Sequence, residues 1–138
     1  MLILNRVLGL DVGKKRIGIA ISDPLLITAQ PLKAISRMPE NKAIQEIKDI
    51  CSKYYVETII IGLPKNMNGT IGEQAIDCQE FAEKIQQEFD INVIFEDERL
   101  TSKQAEFTLR EQGKKYTKDK KLVDIVSSQI ILQQYLDR

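Results

Sequence analysis

Histidine and tryptophan are absent from this chain of 138 residues, and only two cysteines are present. Without imidazole, no Ser-His-Asp or Cys-His nucleophile system, no His-ligated zinc site and no imidazole general base can be assembled. Acid-base chemistry therefore falls to carboxylates, lysine, tyrosine, cysteine or a bound metal ion. Cys51 and Cys78 stand 27 positions apart with no CxxC spacing, which supplies neither a metal knuckle nor a redox pair. Both fall on apolar helical stripes, so they are expected to be buried, reduced core thiols that suit a reducing cytoplasm. Long apolar runs are missing too, and the opening MLILNRV is short and lacks a cleavage pattern, so neither a membrane span nor an export signal is expected.

Net charge is a further absence: 20 Lys+Arg balance 20 Asp+Glu. A neutral total argues against coating nucleic acid by bulk electrostatics, yet it conceals opposite patches. Glu73 to Glu98 contains nine acids and one base (Lys84), whereas Arg110 to Lys121 contains six bases and two acids (Glu111, Asp119).

The length predicts one domain over 1–138, able to bury roughly two-thirds of the surface exposed on unfolding. Val7, Leu8, Leu10 and Val12 predict a first strand and Ile17, Ile19, Ala20 and Ile21 a second, with Gly13-Lys14-Lys15 reversing the chain between them. Their dense apolar content predicts burial on both faces, hence central positions. A third strand, about Thr28 to Ile35, contains Pro31, whose missing N–H suits a sheet edge. Beyond Pro39, Ala43, Ile44, Ile47, Ile50, Cys51 and Tyr54 recur at helical spacing, and the apolar run Thr58-Ile59-Ile60-Ile61-Gly62 then predicts a buried strand. The loop LPKNMNG, with its Asn68-Gly69 turn, leads to Thr70-x-x-Glu73, a capping-box pattern opening a helix with the apolar face Ile71, Ala75, Cys78, Ala82, Ile85 and Phe89. A fifth strand, Asn92 to Phe95, runs into Glu96-Asp97-Glu98, and Thr101-x-x-Gln104 caps a further helix. In the last helix, about Asp119 to Asp137, apolar residues occupy nearly the whole circumference, which predicts packing on several sides. The order β-β-β-α-β-α-β-α-α predicts an α/β fold with a mixed five-stranded sheet flanked by helices, the element order of the ribonuclease-H-like fold.

Three acids stand where a purely structural carboxylate is unfavourable. Asp11 lies in a central strand between Leu10 and Val12, where an ionised group loses much of its hydration unless it is paired or metal-bound. Gly9, Gly13 and Gly18 flank it and are expected to clear room for a bulky ligand against the backbone. Asp124 sits within the apolar last helix, and Ser127 and Ser128 keep its side narrow, so that the helix can lie close to the sheet. The third is one of Glu96, Asp97 and Glu98, whose mutual repulsion at a strand end calls for a cation such as the adjacent Arg99. Each has a structural alternative: a satisfied strand-end acid for Asp11, a helix-dipole acid for Asp124, an exposed turn neutralised by Arg99 for the trio. Three carboxylates from separated elements suit a hard cation, Mg²⁺ or Mn²⁺. Two such ions about 3.5–4 Å apart can drive phosphodiester hydrolysis without a protein base.

Lys114, Lys115, Lys118, Lys120 and Lys121 surround Tyr116 in GKKYTKDKK, a segment able to follow a phosphate backbone and stack one base; its alternative is a solvated linker. Lys14, Lys15 and Arg16 at the hairpin turn are further phosphate candidates. GLPKNMNG reads as a substrate-facing or capping loop, although turn geometry alone accounts for its Gly, Pro and Asn.

Four ordered motifs, VLGLDVGKKRIGIAISD, IIIGLPKNMNG, EDERLTS and KLVDIVSSQIILQQYLD, closely resemble those of the YqgF family of bacterial Holliday-junction-resolvase-like proteins, over essentially the whole chain. The resemblance implies a ribonuclease-H-like fold, a cytoplasmic location, and metal-dependent processing of the 5′ end of pre-16S rRNA in ribosome biogenesis. Its implied partners are precursor rRNA and ribosomal particles. Carried over by motif, the family's acids fall on Asp11 in LDVG, Glu98 in DER with Asp97 beside it, and Asp124 in VD. Asp11, Glu98 and Asp124 would hold the Mg²⁺ or Mn²⁺, with Lys14, Arg99, Lys114, Lys115, Tyr116 and Lys118 as candidate substrate contacts. The chain departs from the family pattern in VDIVSS, where alanines more often follow the Asp, and in ending DERLTS on Ser rather than a second Thr. In this fold one strand separates strand 5 from strand 1, so the third acid must bridge axes roughly 10 Å apart. A non-catalytic RNA-binding assembly factor and a resolvase acting on DNA are the alternative readings, and monomer and homodimer both stay open.

Overall fold

Near-continuous burial along the first two strands, shared between the two faces of the sheet, decides how it is layered. The computed structural model, which describes residues 5–66, 68–98, 101–111 and 119–138, has the element order β1 (Arg6–Val12), β2 (Arg16–Ser22), β3 (Ala29–Ser36), α1 (Glu40–Tyr54), β4 (Val56–Leu63), α2 (Glu73–Glu88), β5 (Asn92–Asp97), α3 (Thr101–Glu111) and α4 (Lys120–Leu136). Leu8, Leu10 and Val12 of β1 join Ile17, Ile19 and Ile21 of β2 and Ile59 and Ile61 of β4 in one buried cluster with α1 and α2. Val7, Ala20 and Ile60 point the other way and pack with Ile131 and Leu132 of α4. Because side chains alternate along a strand, β1 and β2 need apolar residues at nearly every position to serve both layers.

The strands lie in the order β3-β2-β1-β4-β5. β1 is antiparallel to β2 and β2 to β3, whereas β4 pairs parallel with both β1 and β5. This is the mixed sheet expected of a meander followed by helical crossovers. β3 takes the edge, and its register with β2 slips between Ile19 and Ala20, where Pro31 stands opposite Ala20 with no N–H to donate. The first parallel strand, β1, thus ends beside β4 with its C-terminal residues at the same edge of the sheet as those of β4 and β5.

Two expectations require correction. Thr70-x-x-Glu73 does not cap α2: the Thr70 hydroxyl donates to Asn68 Oδ1 at 2.7 Å and accepts from Asn66 Nδ2 at 2.9 Å, closing the loop on itself. The helix starts later, with Gly72 at its N-cap and no side-chain cap, and Ile71 is left exposed outside it. β5 also runs on to Asp97, two residues beyond the apolar stretch that announced it. Both cysteines are buried and unpaired as expected, and burial pushes each thiol up to about 12. Among the described residues, no helix is long and apolar enough to cross a membrane.

Candidate active site

Asp11 is the penultimate residue of β1, and strand alternation turns it away from the Leu8–Leu10–Val12 side towards the face covered by α4. Glu98 follows directly on β5, and its N–H donates to the Leu63 carbonyl at 3.2 Å, which extends the β4–β5 ladder by one residue. The two acids meet across β4. This is possible because the intervening position on β4 is Gly62: the Glu98 carboxyl carbon and Oε2 lie 2.7 Å from where a Cβ on that residue would stand. The gap between strands 1 and 5 is therefore bridged by a carboxylate lying over a glycine.

Asp11 and Glu98 are half-buried and hydrogen-bonded to each other. Desolvation, and then the like charge of Asp124, push Asp11 up to about 7. Desolvation, the charge of Asp11 and the shared hydrogen bond push Glu98 up to about 9. Both carboxyls are raised, so the pair holds on to a proton that isolated carboxyls would have lost. Two carboxyls held in this way form a site that a cation would relieve.

α4 brings the third acid. Three small positions let it settle directly on the sheet: a Cβ on Gly18 would overlap the Asp124 carbonyl, and one on Gly9 would stand 2.7 Å from Leu132 Cβ and 3.1 Å from the Ser128 oxygen. At Gly62 the neighbour from α4 is Ile131 Cδ1, at 2.5 Å. Gly9 and Gly18 do clear space, but α4 rather than a ligand fills it. Ser127 and Ser128 are buried against the sheet, as a closely seated helix requires, and Ser128 Oγ donates to the Ile125 carbonyl at 2.6 Å. Asp11 is the register partner of Gly18, so seating α4 on Gly18 places Asp124 beside Asp11. The Asp124 carboxylate is nevertheless engaged elsewhere: its Oδ2 accepts from Arg16 Nε at 2.7 Å. Among the described residues, no three ligating side chains stand close enough to form a ready-made ion cage.

The remaining candidates fall into three groups. Glu96 and Asp97 belong to β5; Glu96 is buried and accepts from Arg138 Nη2 at 2.7 Å, while Asp97, half-buried opposite Leu63, adds a like charge that raises Glu98. Lys14 is exposed in the turn directly after β1. Arg99, Lys114, Lys115, Tyr116 and Lys118 lie outside the described residues. Sequence reasoning missed Arg37. Its guanidinium is buried over the Phe81 ring, 4.6 Å from the centroid, and bonds both oxygens of Asp77, Glu40 Oε2 and the Gly13 carbonyl, while its own N–H donates to the Lys15 carbonyl at 2.9 Å. It clamps the hairpin turn that carries Lys14. The only local signal was Glu40 three residues on, because Gly13 and Asp77 are distant in sequence.

A mixed sheet in this order, with two acids meeting at the ends of strands parallel to β4 and a helix laid across that face, is the arrangement of the ribonuclease-H-like fold class. The chain belongs to the RuvX family of Holliday junction resolvases, whose family model matches residues 5–138. A Clostridium botulinum protein (strain Alaska E43) named "Putative pre-16S rRNA nuclease" is 50% identical over 133 residues, covering 96% of this chain and 97% of the relative. A Clostridium kluyveri protein of the same name is 47% identical over the same coverage. Among solved structures, T. thermophilus RuvC in complex with a Holliday junction substrate superposes with a TM-score of 0.55 at 13% identity, covering 96% of this chain and 93% of RuvC. The fowlpox virus resolvase bound to Holliday junction DNA gives a TM-score of 0.59 at 15% identity, covering 96% and 97%. At such identities these structures establish the fold; the family and its close relatives make the chain a nuclease.

Proposed function

We propose that this nuclease is a single-domain, cytoplasmic enzyme that processes precursor small-subunit rRNA with Mg²⁺ or Mn²⁺ held by Asp11, Glu98 and Asp124. The names of its close relatives support the substrate. The observation that carries the site is the meeting of Asp11 and Glu98 over Gly62. The donor set fits the ion: all three groups are carboxylates, the hard oxygen ligands such cations take, and two of them already face one another. When bound, the ion supplies charge stabilisation and activation of water for hydrolysis. The residues themselves have three tasks. The proton shared by Asp11 and Glu98 must leave before the set is fully ionised. Asp97 adds negative charge beside Glu98 and deepens the demand for a cation. Lys14 and Lys15, on the turn held by Arg37, face substrate phosphates, with Arg99, Lys114, Lys115, Tyr116 and Lys118 as further backbone and base contacts.

The test is cleavage of precursor rRNA by wild type and Asp11→Asn with Mg²⁺, Mn²⁺ or EDTA. Loss of a ligand should lower the rate by about 100-fold or more, and EDTA should abolish it. Equal rates for the two proteins would reject the site. A synthetic four-way DNA junction in the same assay decides between RNA and DNA. RNA binding that persists in EDTA, with no cleavage by wild type, would favour the non-catalytic assembly factor instead.

A further inference from the structure

Arg16 and Arg37 are both half-buried or buried guanidiniums beside carboxylates, yet they are bound in different ways. Arg37 commits Nε, Nη1 and Nη2 to two carboxylates and a carbonyl. Arg16 uses Nε alone, on Asp124 Oδ2, and among the described residues its Nη groups hold no other partner. The side chains of Arg16 and Asp124 are 28% and 23% exposed, so their pair is a single-point bond partly open to water rather than a sealed or bidentate one.

The register explains why this pair sits at the site. Arg16, Gly18 and Ala20 alternate onto the α4 face of β2, and Gly18 is the partner of Asp11. The main chain of Asp124 is fixed over Gly18, so its carboxylate can turn about its side-chain bonds but cannot travel. From that fixed point it reaches Arg16 on one side and feels Asp11 on the other. The third carboxylate is bonded to an arginine and stands apart from the Asp11–Glu98 pair.

Resting on the metal-site reading above, we propose that Arg16 is a resident counter-ion that competes with the divalent cation for Asp124, and that ion loading frees its guanidinium to grip a substrate phosphate. A doubly charged ion among three carboxylates outweighs a one-point pair with a single positive charge. The released fork stands next to Lys14 and Lys15, and a planar guanidinium suits bidentate contact with phosphate. Arg16 is thus a positioning residue in the free protein, and it couples ion binding to substrate binding.

The experiment is calorimetric titration of Mn²⁺ alone into wild type, Arg16→Gln and Asp11→Asn. Competition predicts that Arg16→Gln binds Mn²⁺ about 5-fold or more tightly, the opposite of what loss of a merely structural contact would do. Unchanged or weaker affinity in Arg16→Gln, with binding lost in Asp11→Asn, overturns the role of Arg16 and leaves the metal site standing. Failure of wild type to bind Mn²⁺ overturns both. A second measurement needs no variant: the Arg16 Nε–H resonance of wild type should shift along the Mg²⁺ binding isotherm as its bond to Asp124 breaks. A resonance indifferent to Mg²⁺ overturns the proposal.

Discussion

The Glu98 carboxylate occupies the space that a side chain on Gly62 would fill, with its Cδ and Oε2 each 2.7 Å from that missing Cβ. One strand's lack of a side chain is what allows an acid from its neighbour to reach a third strand. The neighbours of Gly62 are side-chain ends, Glu98 and Ile131 Cδ1, which can give way. Gly62→Ala should therefore fold with a stability loss of about 1–2 kcal/mol, while displacing Glu98 and lowering cleavage far more than that loss explains. Urea denaturation together with nuclease rates on the same samples would check this; a fully active alanine variant would contradict it.

Gly18 poses the opposite case. Its obstacles are the backbone carbonyl of Asp124 and the N of Ile125, which cannot rotate aside. Gly18→Ala should lift α4 off β2 and destabilise the fold by about 3 kcal/mol or more, the upper end for overpacking. Gly72→Ala, whose nearest neighbour is Asn66 Oδ1 at an ordinary 3.4 Å, is the control and should stay within about 1 kcal/mol of wild type.

Stability of the metal-free protein should fall with rising pH. Asp11 and Glu98 are raised from 3.8 and 4.5 to about 7 and about 9, so between those limits the folded state binds more protons than the unfolded one. The associated stability is full below the ordinary carboxylate range and is lost as pH climbs through the raised values. Glu40, held low by Lys84 and Arg37, and Asp77, held low by Arg37, weaken the fold only in acid and do not interfere. Denaturation midpoints without divalent ions should be lower at about pH 9 than at about pH 6. Asp11→Asn should flatten that slope, and a slope unchanged in the variant would show that the pair is not its source.

Removing Arg37 should loosen the turn as well as the fold. Arg37→Met strands Asp77, leaves Glu40 with Lys84 alone, and releases the carbonyl of Gly13, while the backbone bond to the Lys15 carbonyl stays. Because both acids keep some solvent, the expected loss is about 2 kcal/mol rather than the larger figure for a sealed pair. Amide hydrogen exchange should rise at 13–15 before it rises in β1; uniform exchange across the hairpin would contradict the clamp.

Much of this architecture is legible in single residues. Pro31 announces the edge strand, the apolar density of β1 and β2 announces their double-sided burial, and Ser127 with Ser128 announces a closely packed α4. What escapes depends on which distant group arrives. Gly9 and Gly18 read as room for a ligand, since nothing local says that Asp124 and Leu132 will fill it. Thr70 and Glu73 have the spacing of a capping box, but Asn66 and Asn68 compete for the threonine hydroxyl and win. Asp11 and Asp124 stand out as acids in apolar segments, whereas the choice of Glu98 over Asp97 rests on strand parity and on a glycine from another element. The partnership of Arg16 with Asp124 spans 108 positions and leaves no mark in either neighbourhood.

The sealed cysteines make the molecule its own reporter. With Cys51 and Cys78 inaccessible and their thiolates suppressed by burial, an added alkylating reagent can consume them only during excursions that expose the core. Cys51 sits on α1 and Cys78 on α2, so mass spectrometry of the two alkylated peptides would time the opening of each helix separately, in unlabelled protein and without mutation.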